Sequence, residues 1–152
     1  MAEVNIKYLL PEMKGASGGA KVIYNNSLIL NKANKEVCSK IIYLKKNFLY
    51  KLQLSLSKRI KFFKKNYSGW DGSKMKISKK FKPDKNWYKN ETLNGDNLNF
   101  NKKKDFIIIP EIWAHFATDL KFAEQKINYA IFVQGFYHMN STSNFHNLKK
   151  SY

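Results

Sequence analysis

The tightest constraint on this chain is the order of patterns in its first forty-odd residues. Ile6–Leu10 is a short apolar run of β type, closed by Pro11, which has no N–H to give to a strand ladder. Pro11–Gly18 reads as loop. From Gly19 the period becomes helical, with Val22, Ile29 and Ala33 on one stripe and Ala20, Ile23 and Leu30 on the next. Two adjoining stripes predict a broad apolar face lying on a sheet. Asn31–Lys35 ends the helix, and Val37–Leu44 reads as a second strand. Strand, glycine loop, helix and strand within about 40 residues make a βαβ unit, whose crossover is right-handed.

The rest of the chain extends that unit. In residues 45–65, Leu49, Leu52, Leu56, Ile60 and Phe63 step at helical spacing, although Leu52, Leu54 and Leu56 alternate as a strand would. The length favours a helix. A turn at Asp71-Gly72 leads to a short strand at Lys74–Ser78, and residues 82–104, polar and rich in Asn and Lys, read as an excursion from the core layer. Phe106–Ile109 is a continuous apolar run of the kind a buried parallel strand shows. Pro110 and Glu111 end it, and Ile112–Glu124 carries Trp113, Phe116, Ala117 and Leu120 at helical spacing. Tyr129–Val133 reads as another buried strand, and Ser143 or Asn144 is placed to cap a last helix. The expectation is an α/β fold with a parallel sheet flanked by helices.

Composition decides between classes of partner. The formal charge is +17, but 27 of the 28 basic residues are lysine and only Arg59 is arginine. Base-edge and phosphate recognition favours arginine's planar fork, so a dedicated nucleic-acid binder is not expected. Asparagine is also abundant, with 17 copies. A Lys, Asn and Ile excess is what AT-rich codons supply, a plainer cause than a polyanionic partner. Cys38 is the only cysteine, so no intrachain disulfide can form and a reducing cytoplasm fits. No apolar run is long enough to span a bilayer, and the N-terminus does not read as a secretory signal. Lysines around the apolar stripe of 45–65 suit peripheral contact with the inner face of a membrane, although a core-facing helix with a solvated lysine face is the simpler explanation.

The stretch GASGGAKV, residues 15–22, tests for nucleotide chemistry. A Walker A loop needs a second glycine and a hydroxyl after its lysine, but Ala20 and Val22 stand at those positions. Gly15, Gly18 and Gly19 do not match the dinucleotide fingerprint either. In an open parallel sheet, ligands sit at the carboxyl ends of strands where strand order reverses. That rule selects Pro11–Lys21, Pro110–His115 and Gln134–Asn140. Gly18 and Gly19 allow close backbone approach at a helix start, or simply form a tight turn. On an α-helix, Glu111 and His115 lie one turn apart, placing the carboxylate to orient the imidazole or act as a base, or else only to complement the helix dipole. Gln134, His138 and Asn140 suit hydrogen bonds to a polyhydroxylated ligand. His115, His138 and His146 have no paired spacing, so no metal site is expected.

These patterns together resemble the N-terminal domain of GT-B-fold glycosyltransferases. There, a first strand runs into a glycine-rich loop and a helix beginning Gly-Gly-Ala, as IKYLLPEMKGASGGAKV does. FIIIPEIWAH and INYAIFVQGFYHMN are similar to that domain's later strands and strand-end loops, while residues 45–104 are largely unmatched. The resemblance implies a Rossmann-like acceptor-side domain over residues 1–152, with a Lys/Asn-rich insertion at about 45–104. It implies transfer of a sugar from a nucleotide-sugar donor to a cell-surface polysaccharide or glycolipid precursor, without a cofactor or essential metal. The glycine loop, with Gly15, Ser17, Gly18 and Gly19, would face the interdomain cleft, and Glu111, His115, Gln134 and His138 complete the expected substrate contacts. Many members carry a histidine after the strand matching Tyr129–Val133, where this chain has Gln134, with His138 four residues on. The family's nucleotide-binding half, with its paired glutamates, is not in these residues, so the resemblance implies an inactive fragment. The alternative is a non-enzymatic basic α/β domain that binds an anion, a nucleic-acid backbone or a membrane surface.

Overall fold

A computed structural model describes residues 4–12, 18–33, 35–47, 52, 74–78, 81–82 and 98–133. Five strands form one sheet: β1 (Val4–Pro11), β2 (Val37–Lys46), β3 (Met75–Ile77), β4 (Asp105–Pro110) and β5 (Asn128–Phe132), in the order β3-β2-β1-β4-β5. β1 pairs in parallel with β2 and β4, and β4 in parallel with β5, whereas β3 runs antiparallel to β2. The sheet is therefore mixed, and the expectation of an all-parallel sheet is corrected at one edge. The short strand around Lys74–Ser78 does form, but it folds back against the carboxyl end of β2, where Leu44 partners Ile77.

β1 is the central strand, and its last four residues, Tyr8, Leu9, Leu10 and Pro11, are all buried. A run buried on both faces needs cover on both sides of the sheet. The helix α1 (Gly18–Ala33) supplies one cover: Ala20, Ile23 and Tyr24 pack with Tyr8, Leu10, Ile41 and Tyr43. Residues 111–127 supply the other, where Ala114, Phe116, Ala117, Phe122 and Ile127 pack with Leu9, Ile42, Ile107 and Ile109.

The packed face of α1 is narrower than its apolar pattern suggests. Val22 and Ile29 are exposed, and the buried positions are Ala20, Ile23, Tyr24 and Ser27. Polar groups of this face are paired across the layer. The Tyr43 hydroxyl donates to that of Tyr24 at 3.0 Å, and the Ser39 hydroxyl donates to that of Ser27 at 2.9 Å. Burial raises the pKa of Tyr24, against a smaller lowering from the Tyr43 hydrogen bond, and burial likewise raises that of Tyr8. Near the end of α1, Asn31 Nδ2 donates to the Ser39 carbonyl (2.8 Å) and Asn31 Oδ1 accepts from the Ser39 amide (2.6 Å). This clasp satisfies the Ser39 amide and carbonyl on the part of β2 that β3 does not reach.

The helix expected over Ile112–Glu124 is broken into short turns. A 3₁₀ turn spans Glu111–Trp113, a four-residue helix, α2, spans Phe116–Asp119, and tight turns carry the chain to β5. Lys121 and Lys126 hold left-handed φ values of 55° and 53°. The Phe122 amide bonds back to the Ala117 carbonyl and Lys121 to Thr118; Ile127 bonds to Phe122 and Lys126 to Ala123. Both pairs of bonds have the pattern of a Schellman cap, with the residue after each left-handed lysine, Phe122 or Ile127, buried. Two successive caps return the apolar side chains to the sheet more sharply than a continuous helix would. Gln125 Nε2 further satisfies the Leu120 carbonyl at 2.8 Å.

Where the parallel strands begin, Asp105 joins β1 to β4. Its side chain is 2% exposed and is paired with Lys7 Nζ; Asn5 Nδ2 donates to it at 3.0 Å and the Asn101 amide at 2.7 Å. Burial alone would raise its pKa, but the hydrogen bonds and the Lys7 charge outweigh it and hold the carboxyl below its ordinary value.

Of the remaining expectations, Lys45 and Lys46, expected in a helix over 45–65, belong to β2, and Leu52 has helical backbone. The other residues of that segment beyond Asn47, the Asp71-Gly72 turn, residues 83–97 of the excursion and the last helix lie outside the described residues.

Two outcomes are expected. Asp105→Asn costs about 2–4 kcal/mol at neutral pH, because Lys7 loses its charge partner. Since the folded pKa of Asp105 is lowered, its contribution is full above the unfolded value of about 4 and is lost as pH falls through the folded value. Urea unfolding at neutral and acid pH should therefore show the variant losing less stability than the parent on acidification. Lys121→Gly and Lys126→Gly should each raise the urea midpoint, by about 0.5–1 kcal/mol of stability, because glycine relieves the left-handed backbone.

Candidate functional site at the carboxyl edge

Strand order reverses between β1 and β4, since β2 lies to one side of β1 and β4 to the other. Pairing between these two strands covers Asn5–Tyr8 against Asp105–Ile108 and stops there, although β1 runs on to Pro11 and β4 to Pro110. Each central strand ends on a proline, which removes a ladder donor. By contrast, β1 stays paired with β2 as far as Pro11 and Leu44. The interruption thus falls at the switch point, where open α/β sheets bind ligands.

A glutamate follows each proline. Leu9-Leu10-Pro11-Glu12 ends β1 and Ile108-Ile109-Pro110-Glu111 ends β4, so one short pattern occurs at both adjacent strand ends. Glu12 is half-buried; its amide donates to the Leu44 carbonyl (2.8 Å) and its carboxylate accepts from the Ser78 hydroxyl. Ser78, itself buried, also accepts from the Phe81 amide at 3.3 Å, and its own amide donates to the Tyr43 carbonyl at 2.7 Å. Phe81 lies against the Tyr43 ring with centroids 4.6 Å apart. The antiparallel strand β3 thereby fixes the glutamate after β1.

Glu111 is 5% exposed and opens the 3₁₀ turn. His115 is half-buried, with its ring edge-on to Phe116 at 4.8 Å. The 3₁₀ turn covers only Glu111–Trp113, and His115 stands at the N-cap of α2. Trp113, between them, is half-buried and packs against the clusters on both faces of the sheet. It therefore lies across the carboxyl edge.

Of the expected contacts, Gly18 and Gly19 begin α1, with Gly18 exposed and Gly19 half-buried. A Cβ placed on Gly18 would have no heavy atom within 4 Å, so packing does not require glycine there. Gly15, Ser17, Gln134 and His138 lie outside the described residues. The sheet order sets the ends of β1, β4 and β5 side by side, as convergence of the three selected segments requires. Glu12 and Ser78 were not singled out from the sequence, although the repeated apolar-Pro-Glu pattern was a usable signal for Glu12. Ser78 carries no such signal, because its role depends on β3 folding back.

No group of three metal-ligating side chains occurs among the described residues, and no helix there is long and apolar enough to cross a membrane. Comparison with protein-family models, curated proteins and solved structures finds no match to this chain. Ser78→Ala should cost about 1–2 kcal/mol, from loss of the hydrogen bonds to Glu12 and from Phe81, as a lower midpoint in thermal or urea unfolding.

Proposed function

We propose that the carboxyl edge binds a saccharide, and that the chain is the acceptor-side domain of a sugar transferase with a Rossmann-like, GT-B type of fold. The observation that carries this reading is the pair of Pro-Glu strand ends at the switch point, where β1 and β4 cease to pair. Carboxylates accept hydrogen bonds from hydroxyls, and a half-buried indole such as Trp113 offers an apolar surface to a sugar ring. The start of α1 at Gly18 and Gly19 allows close backbone approach of an anionic group such as a donor phosphate.

In this reading Glu12 and Glu111 hold and orient an acceptor hydroxyl, and one of them takes its proton as the acceptor oxygen bonds to the anomeric carbon and the donor's anomeric carbon–phosphate oxygen bond breaks, the nucleotide leaving with that electron pair. Glu111, the more buried of the two, is the one we assign as base, because burial shields it from water. The nucleotide sugar would be held chiefly by a second domain, and the acceptor is a polysaccharide or glycolipid precursor.

The test is titration of the isotopically labelled chain with neutral disaccharides up to roughly 10 mM, as weak acceptor binding requires. Amide shifts should concentrate at Glu12, Gly18–Ala20 and Glu111–His115. Glu111→Gln should weaken binding at least several-fold. Gly18→Ala should keep or slightly raise stability, by about 0.5 kcal/mol, while weakening binding. Absence of shifts, or shifts confined to other surfaces, would refute the proposal.

A further inference from the structure

The opposite edge of the sheet, where the parallel strands begin, has a composition that neither the core nor the saccharide reading uses. Lys32 in the last turn of α1, Lys35 before β2, Lys102, Lys103 and Lys104 before β4 and Lys126 before β5 are all exposed there. Among the described residues, the acids beside them are few. Asp105 is paired with Lys7, Glu124 lies 3.3 Å from Lys121, and Glu36 adjoins β2.

Like charges held together repel, so a lysine triplet is expected to spread unless its backbone is fixed. Here it is fixed. The Asn101 carbonyl accepts from the amides of Lys104 (3.2 Å) and Asp105 (2.8 Å), and Asn101 Oδ1 accepts from the Lys103 amide (3.0 Å). The Lys104 carbonyl accepts from the Asn5 amide (2.7 Å), and the Lys102 carbonyl from Asn128 Nδ2 (3.1 Å). The turn is bonded to β1, β4 and β5 through its backbone, leaving three ammonium groups on the outside.

The sheet order then spreads the charge. Lys35, Lys102–Lys104 and Lys126 precede β2, β4 and β5, and strands lie about 4.8 Å apart, so the array is roughly 15 Å wide. Val4, at the start of β1, and Phe106, in β4, are exposed apolar side chains near this edge, at 42% and 37%.

We infer that this edge docks on an anionic phospholipid bilayer. The lysines supply the attraction, and Val4 and Phe106 enter the interfacial layer. A nucleic-acid backbone fits less well. It favours arginine forks, which this edge lacks among its described residues, and its phosphates give an apolar side chain nothing to bury against. Docked this way, β1 stands along the bilayer normal. Its eight residues at about 3.3 Å each hold the carboxyl-edge glutamates roughly 25 Å from the surface. The inference does not rest on the saccharide reading.

The test is flotation of the full chain with phosphatidylcholine vesicles, with and without roughly a third of phosphatidylglycerol, at about 0.1 M salt, where screening beyond about 10 Å separates the edge from distant charges. Binding should require the anionic lipid. Lys102→Gln/Lys103→Gln/Lys104→Gln should lower partitioning by tens of fold, up to about a hundredfold, as about tenfold per 1.4 kcal/mol applied to three lysines implies. Lys45→Gln/Lys76→Gln/Lys82→Gln removes the same charge elsewhere and should change partitioning by less than about threefold. If the first triple variant fails to fold, Lys32→Gln/Lys35→Gln/Lys126→Gln tests the same edge from other turns. Equal loss in edge and control variants, no binding to anionic vesicles, or tighter binding to duplex DNA that the edge variants abolish would each overturn the inference.

Discussion

The architecture depends on burying the central strand from both sides. Tyr8, Leu9, Leu10 and Pro11 are consecutive and all buried, so neither face of β1 can be left to water. That requirement assigns α1 to one face and residues 111–127 to the other. It also explains the tandem caps at Lys121 and Lys126. A straight helix from Ile112 would carry Phe122 and Ile127 away from the sheet, and the left-handed residues turn both back into the core at a modest conformational cost.

The two ends of β1 and β4 are built differently. At the amino edge the strands are joined by a buried carboxylate, paired with Lys7 and held by Asn5 and Asn101. At the carboxyl edge two prolines interrupt the pairing, and a glutamate follows each. The sheet is thus joined at one end of these two strands and left unpaired at the other. The two proposals use these ends separately.

Much of the fold was legible because strands buried on both faces are continuous apolar runs. Ile6–Leu10, Val37–Leu44, Phe106–Ile109 and Tyr129–Val133 all lie within or across observed strands. The broken cover over residues 111–127 was not legible, because Trp113, Phe116, Ala117 and Leu120 fit a continuous helix and lysine gives no sign of a left-handed cap. The face of α1 was misjudged for a related reason. Tyr24 and Ser27 are buried because Tyr43 and Ser39 satisfy their hydroxyls, whereas Val22 and Ile29 point to solvent. Apolar counting does not register a polar pair that exists only after the layers meet.

The sequence by itself determined the βαβ opening and the burial of the central strands. These follow from local periodicity and from prolines and glycines that restrict the backbone wherever they stand. The tertiary structure decided that β3 runs antiparallel and seats Ser78 against Glu12. It also decided that a lysine triplet is pinned across three strands and that β1 and β4 part at their carboxyl ends. Each of these is a relation between residues far apart in the chain, set by register and packing across the sheet, which no local pattern encodes.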